Sequence, residues 1–434
     1  MASNAKNLAE YLNNQTTSAT ADIADGSITT DKLAADAVTA AKLADNAVVT
    51  ANITDSAVTS GKVNPAGLNL GRRNLLINGD MQIAQRGTSL AYAHDGTTNG
   101  YVMDRWRFTF GGTHEQFDGT YAQVAEHPLS NALSKSLKWT TGTAESSYDA
   151  DEYLYFTQIV EAQNVQHLNW GTSNAKAVTL SFYVKSSITG TFAVGIYKPD
   201  STARIINKTY TISSANTWEK KTITFPADTG GGGIANDNGQ GFYLSWHLAA
   251  GSNSTGGGSN GAWKNYAGLS DWADGQGTNA VATTAGATWQ MTLCQLEVGS
   301  TATDFEHRSF GEELQLCQRY FCKSADYSIE PTHNTDDKTI CVLVDMANSL
   351  MRSEKLFFPV KMRTAPTVTH LKGGVGFGSS NGQWAWYQSG TWTFYAFNTG
   401  NLSEDGFCAH AGVAGAGDGN SYWCHAAWKA EAEL

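Results

Sequence analysis

The 434-residue chain carries 29 Lys and Arg against 40 Asp and Glu, a formal charge of -11, which repels a phosphate backbone and argues against a nucleic-acid partner. With 41% hydrophobic residues it can build real cores, while only 16% charged residues and 44 Gly give the balance of a loop-rich β protein and not of a helical enzyme. Its 6 cysteines, Cys294, Cys317, Cys322, Cys341, Cys408 and Cys424, all lie in the last third without CxxC spacing, which reads as buried free thiols, not as a disulfide framework or a zinc site.

The first stretch, "MASNAKNLAEYLNNQ", lacks the apolar core of a signal sequence, and no run approaches the ~18–20 apolar residues that span a bilayer. Synthesis in a cytoplasm without secretion or membrane insertion is expected. Within this stretch Leu8, Tyr11 and Leu12 fall on one side of a short helix over residues 5–13. Such a helix is marginal alone, so it either frays or orders against another protein, and residues 1–20 read as an attachment peptide. From residue 21 to 63 an aliphatic side chain recurs at every fifth position: Ile23, Ile28, Leu33, Val38, Leu43, Val48, Ile53, Val58 and Val63. Neither a helix near 3.6 residues per turn nor a strand with period 2 buries that stripe by itself. A single-chain square coil of pentapeptide repeats would need about twenty residues per coil, leaving too few coils here. Three parallel chains sharing the stripe along one axis is the expected form, with extended Ala-Val-Thr pieces alternating with a helical turn at Lys-Leu.

Residues 64–72, with Pro65 and Gly67, form a linker, after which aromatics become frequent. From 73 to 308 the pattern is β throughout. "AVTLSFYVKS" alternates Val178, Leu180, Phe182 and Val184, and "TFAVGIY", "TWEKKTITFP" and "GFYLSWHLA" continue it between Gly- and Asn-rich turns, which predicts an antiparallel sandwich of jelly-roll type. Ser309 and Glu312 have capping-box spacing before Phe310, Leu314, Cys317 and Phe321, predicting a connecting helix over 309–324. Strand patterns return over 325–434, with a hairpin turning at Ser389-Gly390, so a small second β-sandwich is expected.

No catalytic residue is assigned. Asp149 and Asp151 would share a face if they lay in one strand, but any two acids at that spacing do so. The Gly-x-Ser-x-Gly letters around Ser259 and Ser380 lack the strand-to-helix setting of a nucleophile elbow. No His spacing or acidic pattern supports a metal, and no cofactor is implied. Aromatics are the better pointer. Trp263 and Trp272 in polar loops, and Trp384, Trp386, Trp392 and Tyr395 in the hairpin, suit stacking on sugar rings, although alternating tryptophans in a hairpin also suit a small core.

Several segments resemble those of bacteriophage tail fibre, or receptor-binding, proteins: "RNLLINGDMQIAQRGTS", "DRWRF", "HLNWGTSNAKAVTLSFYVKSS", "QLEVGSTATDFEHRSFGEELQLCQRYF" and "FPVKMRTAPTV", together with the Ala-Val-Thr and Lys-Leu repeat. The resemblance runs from the repeat to about residue 370. It implies a non-enzymatic homotrimer in the virion, attached at its N-terminus to a phage tail or baseplate protein and meeting a bacterial surface glycan or lipopolysaccharide with its C-terminal region. A polysaccharide depolymerase and a purely structural tail or collar component are the alternatives. No large anchoring domain precedes the repeat, which leaves the attachment partner open.

Overall fold

The computed structural model describes residues 29–33, 37–39, 43, 48 and 53, and residues 72–434 apart from 93–97, 113–116, 130–134, 278–280, 328–339, 348–349, 372–382, 389–390 and 413–420. The chain divides into two compact units, Met1–Leu68 and Asn69–Leu434.

In the first unit Thr30–Lys32 forms a 3-10 turn, closed by the Lys32 amide donating to the Thr29 carbonyl at 3.0 Å. The described members of the stripe all face water: Leu33, Val38, Leu43, Val48 and Ile53 are 45, 53, 46, 55 and 40% exposed. A single-chain pentapeptide coil would turn them inward, so these exposures exclude it. Ile23, Ile28, Val58 and Val63, and with them Leu8, Tyr11 and Leu12, lie outside the described residues.

The second unit is mostly β. Its first part runs through β1 (Ser89–Tyr92), β2 (Thr98–Tyr101), β3 (Arg107–Gly111), β4 (Gly119–Val124), β5 (Ser136–Thr141), β6 (Tyr153–Glu161), β7 (Val178–Ser186), β8 (Gly190–Lys198), β9 (Arg204–Ile212), β10 (Glu219–Phe225), β11 (Gln240–Ala250), β12 (Lys264–Asn265) and β13 (Thr288–Val298). These make a six-stranded sheet, β1-β4-β5-β13-β7-β10, and a seven-stranded sheet, β12-β9-β8-β11-β6-β3-β2. Every pairing within them is antiparallel. The inward residues of each strand close the sandwich with aromatic rings: Phe108 stacks on Trp139 at 4.7 Å, Phe156 on Trp289 at 5.9 Å, and Phe182 meets Trp246 edge-on at 5.7 Å. Each such ring removed from water contributes roughly 1.5–3 kcal/mol, which fixes the register because a one-residue slip would turn the set outward.

Three of the segments singled out in the sequence, within 73–89, 104–108 and 295–321, meet beside this sandwich. Asn78, held at φ 58, donates from Nδ2 to the Ile83 and Asp104 carbonyls at 2.8 and 3.0 Å, and its own carbonyl accepts from Trp106 Nε1 at 2.8 Å. The Asn74 side chain accepts from the Leu76 and Leu296 amides, and Gly79 approaches the Cys294 carbonyl so closely that a Cβ would sit 2.2 Å from it. That approach seats the segment on a bulge in β13 between Thr292 and Gln295. These residues are joinery.

The helix is α1, Phe310–Gln318. Ser309 accepts from the Glu312 amide at 3.4 Å, as the capping spacing predicts. It is shorter than the expected 309–324 and buries the predicted stripe only in part: Cys317 is inside together with Glu313 and Leu314 is half-buried, whereas Phe310 is 50% exposed. Glu313 goes in because its carboxylate meets the Asn78 amide and Arg308. Phe321 belongs instead to a strand.

The last part comprises β14 (Phe321–Lys323), β15 (Ile340–Ala347), β16 (Leu350–Ser353), β17 (Leu356–Phe357), β18 (Thr367–Leu371), β19 (Gln383–Gln388), β20 (Thr391–Ala396), β21 (Asn398–Gly400), β22 (Gly406–Gly412) and β23 (Ser421–Glu431). They form one ten-stranded system with the long β23 as its spine, paired to β15 and β19 along its first half and to β14 and β18 along its second. Phe407 on β22 touches Trp428 on β23 at 5.5 Å although β16 and β15 intervene in the order. At about 4.8 Å per strand a flat sheet could not bring them together, so the sheet folds over a second core that includes Phe358, Trp384 and Phe397.

Buried charges bind this part to the sandwich. Arg86 lies 3.8 Å over the Phe321 ring and pairs with Asp104 at 2.9 Å and Glu433 at 3.0 Å. Arg105, 2% exposed, also pairs with Glu433 and covers the Tyr320 ring at 3.6 Å. Arg319 and the Tyr320 hydroxyl both donate to Glu161 at 2.6 Å.

Candidate functional site

The outer face of the seven-stranded sheet departs from the usual polar alternation. On β3 the core takes Phe108 and Phe110, which leaves Arg107 and Thr109 outward. Across the register Thr109 lies opposite Tyr155 and Tyr155 opposite His247; the next row joins Arg107, Thr157, Ser245, Gly195 and Asn207; the row beyond joins Ile159, Tyr243 and Tyr197. Three neighbouring strands therefore present Tyr155, Tyr243 and Tyr197 on one surface, with Tyr153 stacked on Tyr155 at 5.8 Å.

A loop over residues 251–277 brings Trp272 onto that surface. The indole lies edge-on to Tyr155 at 5.7 Å, Tyr197 at 5.4 Å, Tyr243 at 6.4 Å and Tyr266 at 6.2 Å. Tyr197 in turn meets Tyr266 at 4.9 Å. The loop is pinned by polar groups. Asp271, fully buried, accepts from Lys264 Nζ at 2.7 Å and the Ala267 amide at 2.7 Å, while the buried Asn207 donates to Ser259 Oγ at 2.8 Å and the Asp271 carbonyl at 2.6 Å. Gly195 makes room for this pin, since a Cβ there would lie 2.1 Å from Asn207 Oδ1. Ser259, one of the Gly-x-Ser-x-Gly serines, is thus fully buried and bonded to loop and sheet.

Burial raises the phenol pKa of Tyr155, Tyr197, Tyr243 and Tyr266, so the hydroxyls stay protonated at neutral pH. His247, buried beneath Trp272, is pushed down to about 3 by desolvation and is neutral. Tyr155 is buried beneath this surface, while Tyr197, Tyr243, Tyr266 and Trp272 are half-buried and combine ring faces and edges with hydroxyl donors, a pattern that receives a ring bearing both C–H and O–H groups.

Of the tryptophans singled out in the sequence, Trp272 lies at the centre of this platform. Trp263 lies elsewhere: its Nε1 donates to the Pro226 carbonyl at 2.7 Å and its ring meets Trp170 at 5.3 Å, against the sandwich core. Trp384 and Trp386 are 0 and 3% exposed in the second core, which corrects their assignment to a glycan site, because a buried ring has no face to offer. Trp392 and Tyr395 are half-buried, but three positions apart on one strand they point to opposite faces, with Tyr395 paired to Trp384 and Trp392 to Tyr387. They form no common surface. Asp149 and Asp151 precede β6 in a turn, where the Asp149 amide donates to Glu152 Oε2 at 2.7 Å, so the in-strand pairing does not arise. Among the described residues no three His, Cys, Asp or Glu side chains group as a metal site, and no helix is long and apolar enough to cross a membrane. The missed residues, Tyr155, Tyr197 and Tyr243, carried one signal: a tyrosine at the outward position of strands whose other face was already apolar.

No protein-family model and no curated protein sequence matches the chain. Solved structures do. The enzymatically active domain of tailspike protein 4 of bacteriophage CBA120 aligns at TM-score 0.30 and 13% identity over 52% of this chain, which spans 21% of that domain. The family 11 carbohydrate-binding module of Clostridium thermocellum, in complex with a mixed-linked tetrasaccharide, aligns at TM-score 0.23 and 11% identity over 50% of this chain and 98% of the module. The second family 22 xylan-binding domain of Paenibacillus barcinonensis Xyn10C aligns at TM-score 0.24 and 12% identity over 48% and 98%. Likenesses of this strength carry no functional argument.

Proposed function

We propose that this chain is a non-enzymatic subunit of a phage tail fibre that binds a cell-surface glycan through the aromatic platform of its sandwich. The observation that carries the reading is the platform itself, three half-buried tyrosines from two strands and a loop around Trp272, seated on the buried Tyr155 and held by a buried polar pin. In this reading the glycan site moves from the C-terminal hairpin to the sandwich. Three copies associate along the stripe that each chain leaves exposed, residues 1–20 join the tail or baseplate, and the assembly is part of the virion. Three linked weak sites raise apparent affinity by about 10²–10⁴ without new contacts.

Adsorption of the full chain to bacterial cells or their purified polysaccharide measures the reading. Trp272→Ala and Tyr197→Ala are each expected to weaken binding about tenfold, the size of one lost ring contact at ~1–1.5 kcal/mol, while thermal unfolding stays cooperative. Unchanged binding by both variants would remove the platform from the function. Release of new reducing ends from the polysaccharide would replace binding with depolymerisation.

A further inference from the structure

Among the cations of the described residues on the platform side of the sheet, one is left without a counter-charge, while the loop carboxylate Asp274 accepts the Asn260 amide. Arg105, which precedes β3, is engaged by Glu433 and lies over Tyr320. Glu161, at the end of β6, is taken by Arg319 and Tyr320, and Asp271 by Lys264. Arg107 forms no ion pair among the described residues, and its Nε is buried without an acceptor. The register sets it between the rows of Tyr155 and Tyr243, and its charge acts on both phenols. A guanidinium whose fork lies beside sugar-stacking rings fits planar or tetrahedral oxyanions.

We propose that the platform selects acidic glycans, with Arg107 pairing to the carboxylate or phosphate of a sugar whose ring rests on Trp272 and the tyrosines. This rests on the glycan-binding reading above. Arg107 is half-buried, so the pair is screened less than a fully exposed one would be.

The test uses the full chain in affinity gel electrophoresis against polygalacturonate, alginate, hyaluronan and a phosphomannan, each beside its carboxyl-reduced or dephosphorylated counterpart. Preference for at least one acidic polymer over its neutral partner by tenfold or more is expected, falling as salt rises. The phosphomannan pair separates phosphate from carboxylate recognition. In Arg107→Gln the acidic-to-neutral ratio collapses toward one, and in Arg107→Lys it recovers in part, with thermal midpoints reporting that both variants are folded. Equal retardation by acidic and neutral partners, or a ratio untouched in Arg107→Gln, overturns the inference and leaves glycan binding standing. Failure to bind any polymer overturns both.

Discussion

Two histidines make the stability of the second unit depend on pH. Desolvation holds His247 down at about 3 and His370 at about 4, the latter with His410 adding repulsion. Both are neutral when folded and take up protons near 6.5 when unfolded, so the unfolded state binds more protons below that pH. The stability they confer is complete above pH 6.5 and is lost as pH falls toward 4 and then 3. Between pH 6.5 and 5 the loss is about 2 kcal/mol for each. Urea midpoints across that interval are expected to fall steeply in the native chain and less so in His247→Gln; parallel curves would contradict the burial argument. Burial also raises the Cys294 and Cys317 thiols and pushes Cys322 up to about 12, so these three are expected to resist iodoacetamide until the chain unfolds. Mass mapping of labelled peptides reads the outcome. At this scale the sequence was partly readable. Trp263 and Trp272 were singled out alike as tryptophans in Gly- and Asn-rich loops, yet Trp263 packs on Trp170 against the core and Trp272 reaches the platform, while Trp384 and Trp386 go inside as a hairpin core allows. What separated the two loop tryptophans was the surface each loop segment lies against, a long-range fact that no local window contains.

The strands β7, β8, β10 and β11 form where the chain's strand patterns lie, and the Ser309 cap starts α1 where the spacing put it. The inward side of α1 was only partly readable, because Glu313 is recruited by Asn78, 235 positions away, and goes inside beside Cys317 of the apolar stripe. The same holds for the clamp between β23 and the sandwich. Glu433, at 8% side-chain exposure, neutralises Arg86 and Arg105 together, and removing one partner of a buried pair leaves the other charge uncompensated at ~3–5 kcal/mol. Glu433→Ala is therefore expected to lower the urea midpoint sharply, and Glu431→Ala, whose carboxylate is 42% exposed at the same Arg86, far less. Similar losses for both would mean that the clamp is a surface contact.

For the whole molecule the repeat is the telling segment. A row of aliphatic side chains 40–55% exposed at fixed spacing is what a chain presents when its covering is another chain. The period was plain in the sequence, but which form it takes was not, since a repeat of five is compatible with more than one geometry until exposure decides against the coil. The proposed trimer predicts that the mass measured by light scattering is three times 46.5 kDa, and that Val38→Asp with Val48→Asp returns it to one chain while the second unit still unfolds cooperatively. A monomeric native chain would end the fibre reading.

The Arg86–Glu433 contact joins positions 347 residues apart, and this has a consequence for synthesis. A ribosome emits the sandwich strands long before residues 431–433, so a nascent sandwich holds Arg86 with Asp104 alone and Arg105 without its carboxylate. It stays poised until that segment emerges. Chains cut short within β23 would display Arg105 uncompensated, a mark by which truncated copies differ in stability before any assembly begins.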